Sequence, residues 1–202
     1  YYENLPDLRM EHKQNRIHPK YTHQHKDKKI PMDLWLEFLG YYLSEGGMET
    51  EPTIGISQKR GAKADKIKNC LKELSKFVGC KLTEIKDEKY VWFKLTCTQL
   101  CSYIKLNASG KDDRKTCSMN LSSLSYNQLK LFYNAMMLGD GSKYGDAYGS
   151  TSLDLVNLIQ AVACLIEKSA SLNLHYKENY RLNRKRMYRV TLSNRNQPMI
   201  SK

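Results

Sequence analysis

Phe38-Leu39-Gly40-Tyr41-Tyr42-Leu43-Ser44-Glu45-Gly46 and Tyr133-Asn134-Ala135-Met136-Met137-Leu138-Gly139-Asp140-Gly141 are the two stretches whose reading decides the fold. Each closes an apolar run that reads as a helix, and each stops on an acid followed by glycine. Small residues stand four apart in both, Gly40 with Ser44 and Ala135 with Gly139. Residues four apart share a helix face. A helical glycine costs roughly 1 kcal/mol against alanine, and close backbone approach is a reasonable offset. The two helices are therefore expected to cross on these faces, with Gly40, Ser44, Ala135 and Gly139 forming the seam.

An acid at a helix C-terminus is unfavourable by a few tenths to about 1 kcal/mol, because that end carries partial negative charge. If the two helices pack in parallel, Glu45 and Asp140 adjoin and repel. A divalent cation relieves the repulsion. The carbonyls of Ser44 and Gly139 add oxygen donors, and an all-oxygen set suits Mg²⁺.

The same order of elements surrounds both stretches. Pro31 opens the first helix, with Asp33 in its first turn, and a strand follows over Thr53–Lys59. A helix over 62–78 ends at Gly79. Strands over 80–86 and 89–96 flank a turn at Asp87-Glu88, and Thr98 caps a short helix over 99–105. Ser125 caps the second apolar helix. Behind it come a strand near 146–151, a helix from 153 to about 169, and strands over 172–178 and 184–192. The pattern occurs twice, which indicates duplication. It predicts an α+β fold with a first half over 31–106, a linker region over 107–124, a second half over 125–194 and a tail over 195–202. Residues 1–30 read as a basic arm.

The chain has 202 residues, with 33 Lys and Arg against 21 acids, for a net charge of +12. That excess favours a polyanionic partner, nucleic acid first. No stretch is long and apolar enough to span a membrane and no signal peptide opens the chain, so an intracellular protein is expected. Six cysteines without a CxxC pair read as reduced, with Cys70 and Cys164 buried among apolar neighbours. A zinc site on Cys97 and Cys101, or a metal cluster on His12, His18, His23 and His25, has little support. No phosphate-binding glycine loop occurs, which speaks against a nucleotide-binding enzyme.

The paired stretches resemble the motifs of the LAGLIDADG homing endonucleases, and the resemblance extends over roughly 32–194. It implies two pseudo-symmetric αββαββα-like halves forming a DNA-binding saddle, with the motif helices at the seam. It also implies a monomer that cuts both strands of a long DNA site, using two or three divalent ions, Mg²⁺ foremost, held by Glu45 and Asp140. Glu stands where many members carry Asp, and the family admits either acid. Tyr148-Gly149-Ser150-Thr151-Ser152-Leu153 and Tyr188-Arg189-Val190-Thr191-Leu192-Ser193 resemble the members carried by inteins. The chain shows neither a starting Cys or Ser nor a terminal His-Asn pair, so an excised endonuclease domain is expected, with 1–30 a remnant of the splicing module.

By the same resemblance, Lys115 and Lys185 match lysines that assist catalysis, and Gln58 matches a polar residue that orders water. Recognition falls to the strands, whose outward faces carry bases suited to groove edges and phosphates. The expected DNA contacts are Lys59, Arg60, Lys86, Lys94, Lys143, Tyr148, Lys177, Arg184, Arg186 and Arg189, with Tyr144 a further candidate. On the last strand Tyr188, Val190 and Leu192 should face the core. The alternative is a DNA- or RNA-binding protein of the same fold without cleavage, a regulator or splicing maturase.

Overall fold

The computed structural model describes residues 2–5, 27–50, 52–109, 115–176 and 186–194. These residues divide into two compact units. The first comprises Tyr1–Trp35 and Gly47–Leu106, the second Leu36–Gly46 and Asn107–Lys202. No helix among the described residues is long and apolar enough to cross a membrane.

In the first unit a short ribbon pairs β1 (Tyr2–Leu5) antiparallel with β2 (Lys28–Pro31). The arm expected over 1–30 is thus in part a strand pair, and its histidines lie outside the described residues. Helix α1 (Met32–Glu45) follows Pro31 directly, and its residues from Leu36 onward belong to the second unit. Next come β3 (Gly46–Met48), β4 (Thr53–Lys59), α2 (Ala62–Val78), β5 (Lys81–Lys86), β6 (Tyr90–Thr96) and α3 (Thr98–Ala108). The sheet order is β3-β4-β6-β5, with antiparallel ladders from β6 to β4 and to β5.

Strand β6 alternates as a half-buried strand should. Val91, Phe93 and Leu95 point inward and are buried, as are Ile54 and Ile56 of β4. Against them α2 lays Ala64, Ile67, Cys70, Leu71, Leu74 and Val78, while its lysines face out. Its end is left-handed at Gly79 (φ 62°), whose amide bonds to the Ser75 carbonyl. Asp87 makes the β5–β6 turn by accepting the Lys89 and Tyr90 amides at 2.7 and 2.6 Å.

The second unit repeats the order as far as it is described. Helix α4 (Tyr126–Asp140) starts at Ser125, whose hydroxyl and Gln128 form the reciprocal pair of a capping box. Then come β7 (Ala147–Ser150), α5 (Leu153–Leu165), β8 (Lys168–Tyr176) and β9 (Met187–Asn194), in the sheet order β7-β9-β8. A single bridge from Gly141 to Tyr148 stands where β3 stands beside β4. The inner face buries Tyr148, Val190 and Leu192 beneath Leu155, Val156, Ile159, Val162 and Ala163 of α5.

Helix α5 is shorter than its sequence suggests. No glycine or proline interrupts 166–169, yet the helix ends at Ile166 and Glu167 turns left-handed at φ 63°. The ladder decides this: β8 pairs with β9 from Lys168↔Asn194 onward, so the chain must reverse before it. Cys164, expected in the core, falls on the exposed side of α5.

Candidate active site at two helix ends

The crossing expected from the small residues is present within the second unit. A Cβ added to Gly40 would stand 2.6 Å from the Ala135 Cβ, and 3.1 Å from the Met136 nitrogen and the Phe132 carbonyl oxygen. One turn later, a Cβ on Gly139 would stand 2.5 Å from the Ser44 Cβ and 2.8 Å from the Glu45 Cγ. At Gly40 the two backbones approach with only the Ala135 methyl between them, and at Gly139 the Ser44 and Glu45 side chains fill the space a Cβ would need. The Ser44 hydroxyl sits directly against Gly139, where a Cβ would collide with it, and donates back to the Gly40 carbonyl at 2.9 Å.

The glycines after the acids act by size rather than by handedness. The sequence suggests a left-handed stop at both, but Gly141 is extended (φ −70°, ψ 148°) and Gly46 has no positive φ. A side chain would collide with the previous turn instead. The Gly46 Cβ would lie 2.8 Å from the Tyr42 Cα, and that of Gly141 2.9 Å from the Met137 Cα. The chain folds straight from the helix into extended backbone, so each acid stays at the tip of its helix.

Glu45 is the last residue of α1 and Asp140 the last of α4. Glu45 packs its Cγ against Gly139, which brings its charge beside Asp140. Desolvation first, and the Glu45 charge second, push the Asp140 carboxyl up to about 6, although one flank of the residue is exposed. Lys115 and the Tyr148 hydroxyl act in the opposite sense.

Lys115 lies beside the pair. Its ammonium donates to the Leu43 and Ser44 carbonyls at 3.1 and 3.3 Å and lies 5.7 Å from the centroid of the Tyr42 ring. It therefore caps the orphan carbonyls of α1 and offsets the negative helix end on which Glu45 sits. Burial lowers its pKa, while Asp140 and Glu45 raise it. The backbone of Lys115 is held in turn, since its carbonyl accepts the Ser152 hydroxyl at 3.1 Å. The Ser44 carbonyl, expected as a metal ligand, is thus also a lysine acceptor.

Tyr148 is a correction. Expected as a DNA contact, it is fully buried at 0% exposure, and its hydroxyl reaches toward Asp140 Oδ2 at 3.5 Å. The reason is strand parity: Tyr148 pairs with Val190 and shares its inward face. That parity is readable in Tyr188, Val190 and Leu192 once the register is known, and only the register identifies Tyr148 as a partner of the acid.

Among the other expected DNA contacts, Lys59 and Lys94 lie on the outward face of the first sheet, paired there with Tyr90 and with Gly55 and Thr83. Lys94 also bonds to Glu49 at 2.6 Å. Lys86 is on the opposite face. It pairs with the buried Val91 and shares Glu84 with Lys68 of α2. Arg60 is exposed at the end of β4 and donates to the Asp87 carbonyl at 3.3 Å. Gln58, in the first unit, accepts the Lys59 amide at 2.8 Å. In the second unit Arg189 lies on the outward face, Arg186 is exposed, and Lys143 stands 5.8 Å from the Tyr144 ring, which is itself 84% exposed. Lys177, Arg184 and Lys185 lie outside the described residues.

Among the described residues no three His, Cys, Asp or Glu side chains cluster as metal ligands. The donor set at the helix ends is two carboxylates with neighbouring carbonyl oxygens. That fits Mg²⁺, which commonly takes one or two protein carboxylates and fills its remaining positions with water and substrate phosphate. The mutual repulsion recorded by Asp140 is the feature a cation would relieve.

No protein-family description matches the chain, and no curated protein does. Solved structures do match. A crystal structure of I-DmoI in complex with DNA and Ca is 13% identical, covering 80% of this chain and 83% of that one, with a TM-score of 0.56. I-DmoI in complex with DNA and Mn is 14% identical over 80% and 90%, with a TM-score of 0.55. The N-terminal LAGLIDADG domain of DUF199/WhiA is 12% identical over 79% and 76%, with a TM-score of 0.51. With its repeated helix–acid–glycine order, and a main sheet of four strands in one unit and of three in the other among the described residues, this chain has the LAGLIDADG fold.

Proposed function

We propose that this protein is a site-specific homing endonuclease that makes metal-dependent double-strand breaks at a long DNA site. The observation that carries the reading is the meeting of Glu45 and Asp140 at neighbouring helix ends, with the Lys115 ammonium bonded to the last carbonyls of α1. Two acids held together at the cost of their own repulsion have little structural use, and a phosphate-cutting site needs such a pair. The +12 charge and the outward Lys59, Lys94 and Arg189 support a DNA partner. I-DmoI, which shares the fold, has been solved with DNA and with Ca or Mn.

Glu45, Asp140 and the Ser44 and Gly139 carbonyls would hold Mg²⁺. When bound, the ion supplies positive charge to the phosphoryl and leaving oxygens. Lys115 offsets the partial negative charge of the α1 end on which Glu45 sits, and its ammonium adds charge stabilisation for an incoming phosphate. The Tyr148 hydroxyl orients Asp140 from the core side. Both acids come from one chain, so the pair needs no second copy, in keeping with a monomer. The likeness of 148–153 and 188–193 to intein-borne members supports reading the chain as the endonuclease part of an intein.

The test is selection of cut sites from a randomised plasmid library in Mg²⁺, with Ca²⁺ as the control, beside Glu45→Gln and Asp140→Asn. Double-strand cuts that vanish or become nicks in both variants support the reading. Tight, salt-sensitive binding to one sequence without cutting would replace it with a binding protein of the same fold. Cutting that survives both substitutions would place the active site elsewhere.

A further inference from the structure

The first unit holds a second constellation, remote in sequence from the paired acids. Cys80 immediately precedes β5 and Cys97 immediately follows β6. These strands pair antiparallel with Lys81 opposite Thr96, so the same register sets Cys80 opposite Cys97 across the open end of the hairpin. Their side chains are in hydrogen-bond contact. Directly opposed residues of an antiparallel pair have Cα atoms about 4.5–5.5 Å apart, within the span a disulfide bridges.

Three further features act on Cys97. It stands at the N-terminal end of α3, where its carbonyl accepts the Cys101 amide at 3.0 Å and its sulfur accepts the Gln99 and Leu100 amides. The Lys28 ammonium, which also donates to the Val78 carbonyl, lies at the same spot. Cys80 and Cys97 line a cleft of about 250 Å³ together with Lys28, Thr96 and Gln99. Cys101, by contrast, is buried, and burial raises its thiol to about 11.

We propose that Cys97 and Cys80 form a peroxide-reactive thiol pair, Cys97 attacking and Cys80 resolving, which closes to a disulfide across the base of the β5–β6 hairpin. The thiol of Cys97 is lowered to about 6, chiefly by the Cys80 thiol donating to it, while Cys80 is raised. In the first step the Cys97 thiolate attacks one oxygen of a hydroperoxide. The S–O bond forms, the O–O bond breaks, and hydroxide (or alkoxide) leaves, giving Cys97 sulfenic acid. In the second step the Cys80 sulfur attacks the Cys97 sulfur. The S–S bond forms, the S–O bond breaks, and the departing hydroxide takes the Cys80 proton as water. The two thiols give up two electrons and the peroxide accepts them.

The experiment treats the full chain with one equivalent of hydrogen peroxide and maps the cysteines by mass spectrometry after digestion at acidic pH. The expected product is a Cys80–Cys97 linkage with a loss of about 2 Da. Cys80→Ser should stop at a dimedone-trappable sulfenic acid on Cys97. Cys97→Ser should slow oxidation at least tenfold, and Lys28→Met should slow it without abolishing the linkage. Oxidation falling on the exposed Cys164 or on Cys117, with Cys80 and Cys97 left as free thiols in the wild-type chain, would overturn the proposal. So would an unchanged rate in Cys97→Ser.

Discussion

Gly40→Ala tests the helix crossing on which the site depends. The added methyl would stand 2.6 Å from the Ala135 Cβ and 3.1 Å from two backbone atoms. Ordinary carbon contacts are about 3.5–4.0 Å, so α1 and α4 must part by roughly 1 Å. Overpacking of this kind costs about 1–3 kcal/mol. Alanine's better helix propensity returns roughly 1 kcal/mol. Backbone atoms cannot rotate aside as side chains do, so the strain should fall in the upper part of its range. The expected net loss is roughly 1–2 kcal/mol. Ala135→Gly alone should cost about 1 kcal/mol through propensity. In the double variant the methyl changes sides of the seam and the shortest contact disappears. The pair should therefore be about 1 kcal/mol more stable than the two single losses predict by addition. Urea unfolding followed by far-ultraviolet circular dichroism measures all three. If Gly40→Ala raises stability, or if the two losses simply add, the close crossing is not where the structure places it.

Two further outcomes concern Asp140 and Lys115. Asp140 has a folded pKa of about 6, above its usual 3.8, so the native state holds that proton more tightly than the unfolded chain. Its contribution to stability is present below about pH 4 and is lost as pH rises through about 6. Thermal unfolding across that window should show the decline in the parent and a flatter profile in Asp140→Asn. The variant should gain no more than about 1 kcal/mol near neutrality, given solvent screening, and millimolar Mg²⁺ should raise the parent's melting temperature above about pH 6 but not the variant's. Equal slopes in the two proteins would show that neither burial nor Glu45 raises the Asp140 carboxyl. Lys115→Met should lower single-turnover cleavage by roughly 100-fold or more while changing DNA affinity far less. Unchanged cleavage would reduce Lys115 to a helix cap.

Much of the site could be read in advance because its signals are local. Gly40 with Ser44, Ala135 with Gly139, and an acid before each glycine report close helix packing and a charged tip. Lys115 came from resemblance, and its bonds to Leu43 and Ser44 show why a lysine belongs there. What failed to be legible was non-local. Helix α5 ends at a left-handed Glu167 for the sake of a ladder with β9, and no residue in 166–169 announces it. Lys86 reads as one more strand base, but its pairing with Val91 turns it toward α2.

The sequence by itself determined the duplicated α+β order, the two helices and their closing acids, since period, caps and small-residue spacing act within a few residues of each other. Only the tertiary structure decided which side chains meet. Tyr148 became a buried partner of Asp140 instead of a DNA contact, and Cys80 came to face Cys97, because strand register sets both. A shift of one residue in that register would turn every such side chain to the other face, and register is fixed by pairing between segments far apart in the chain.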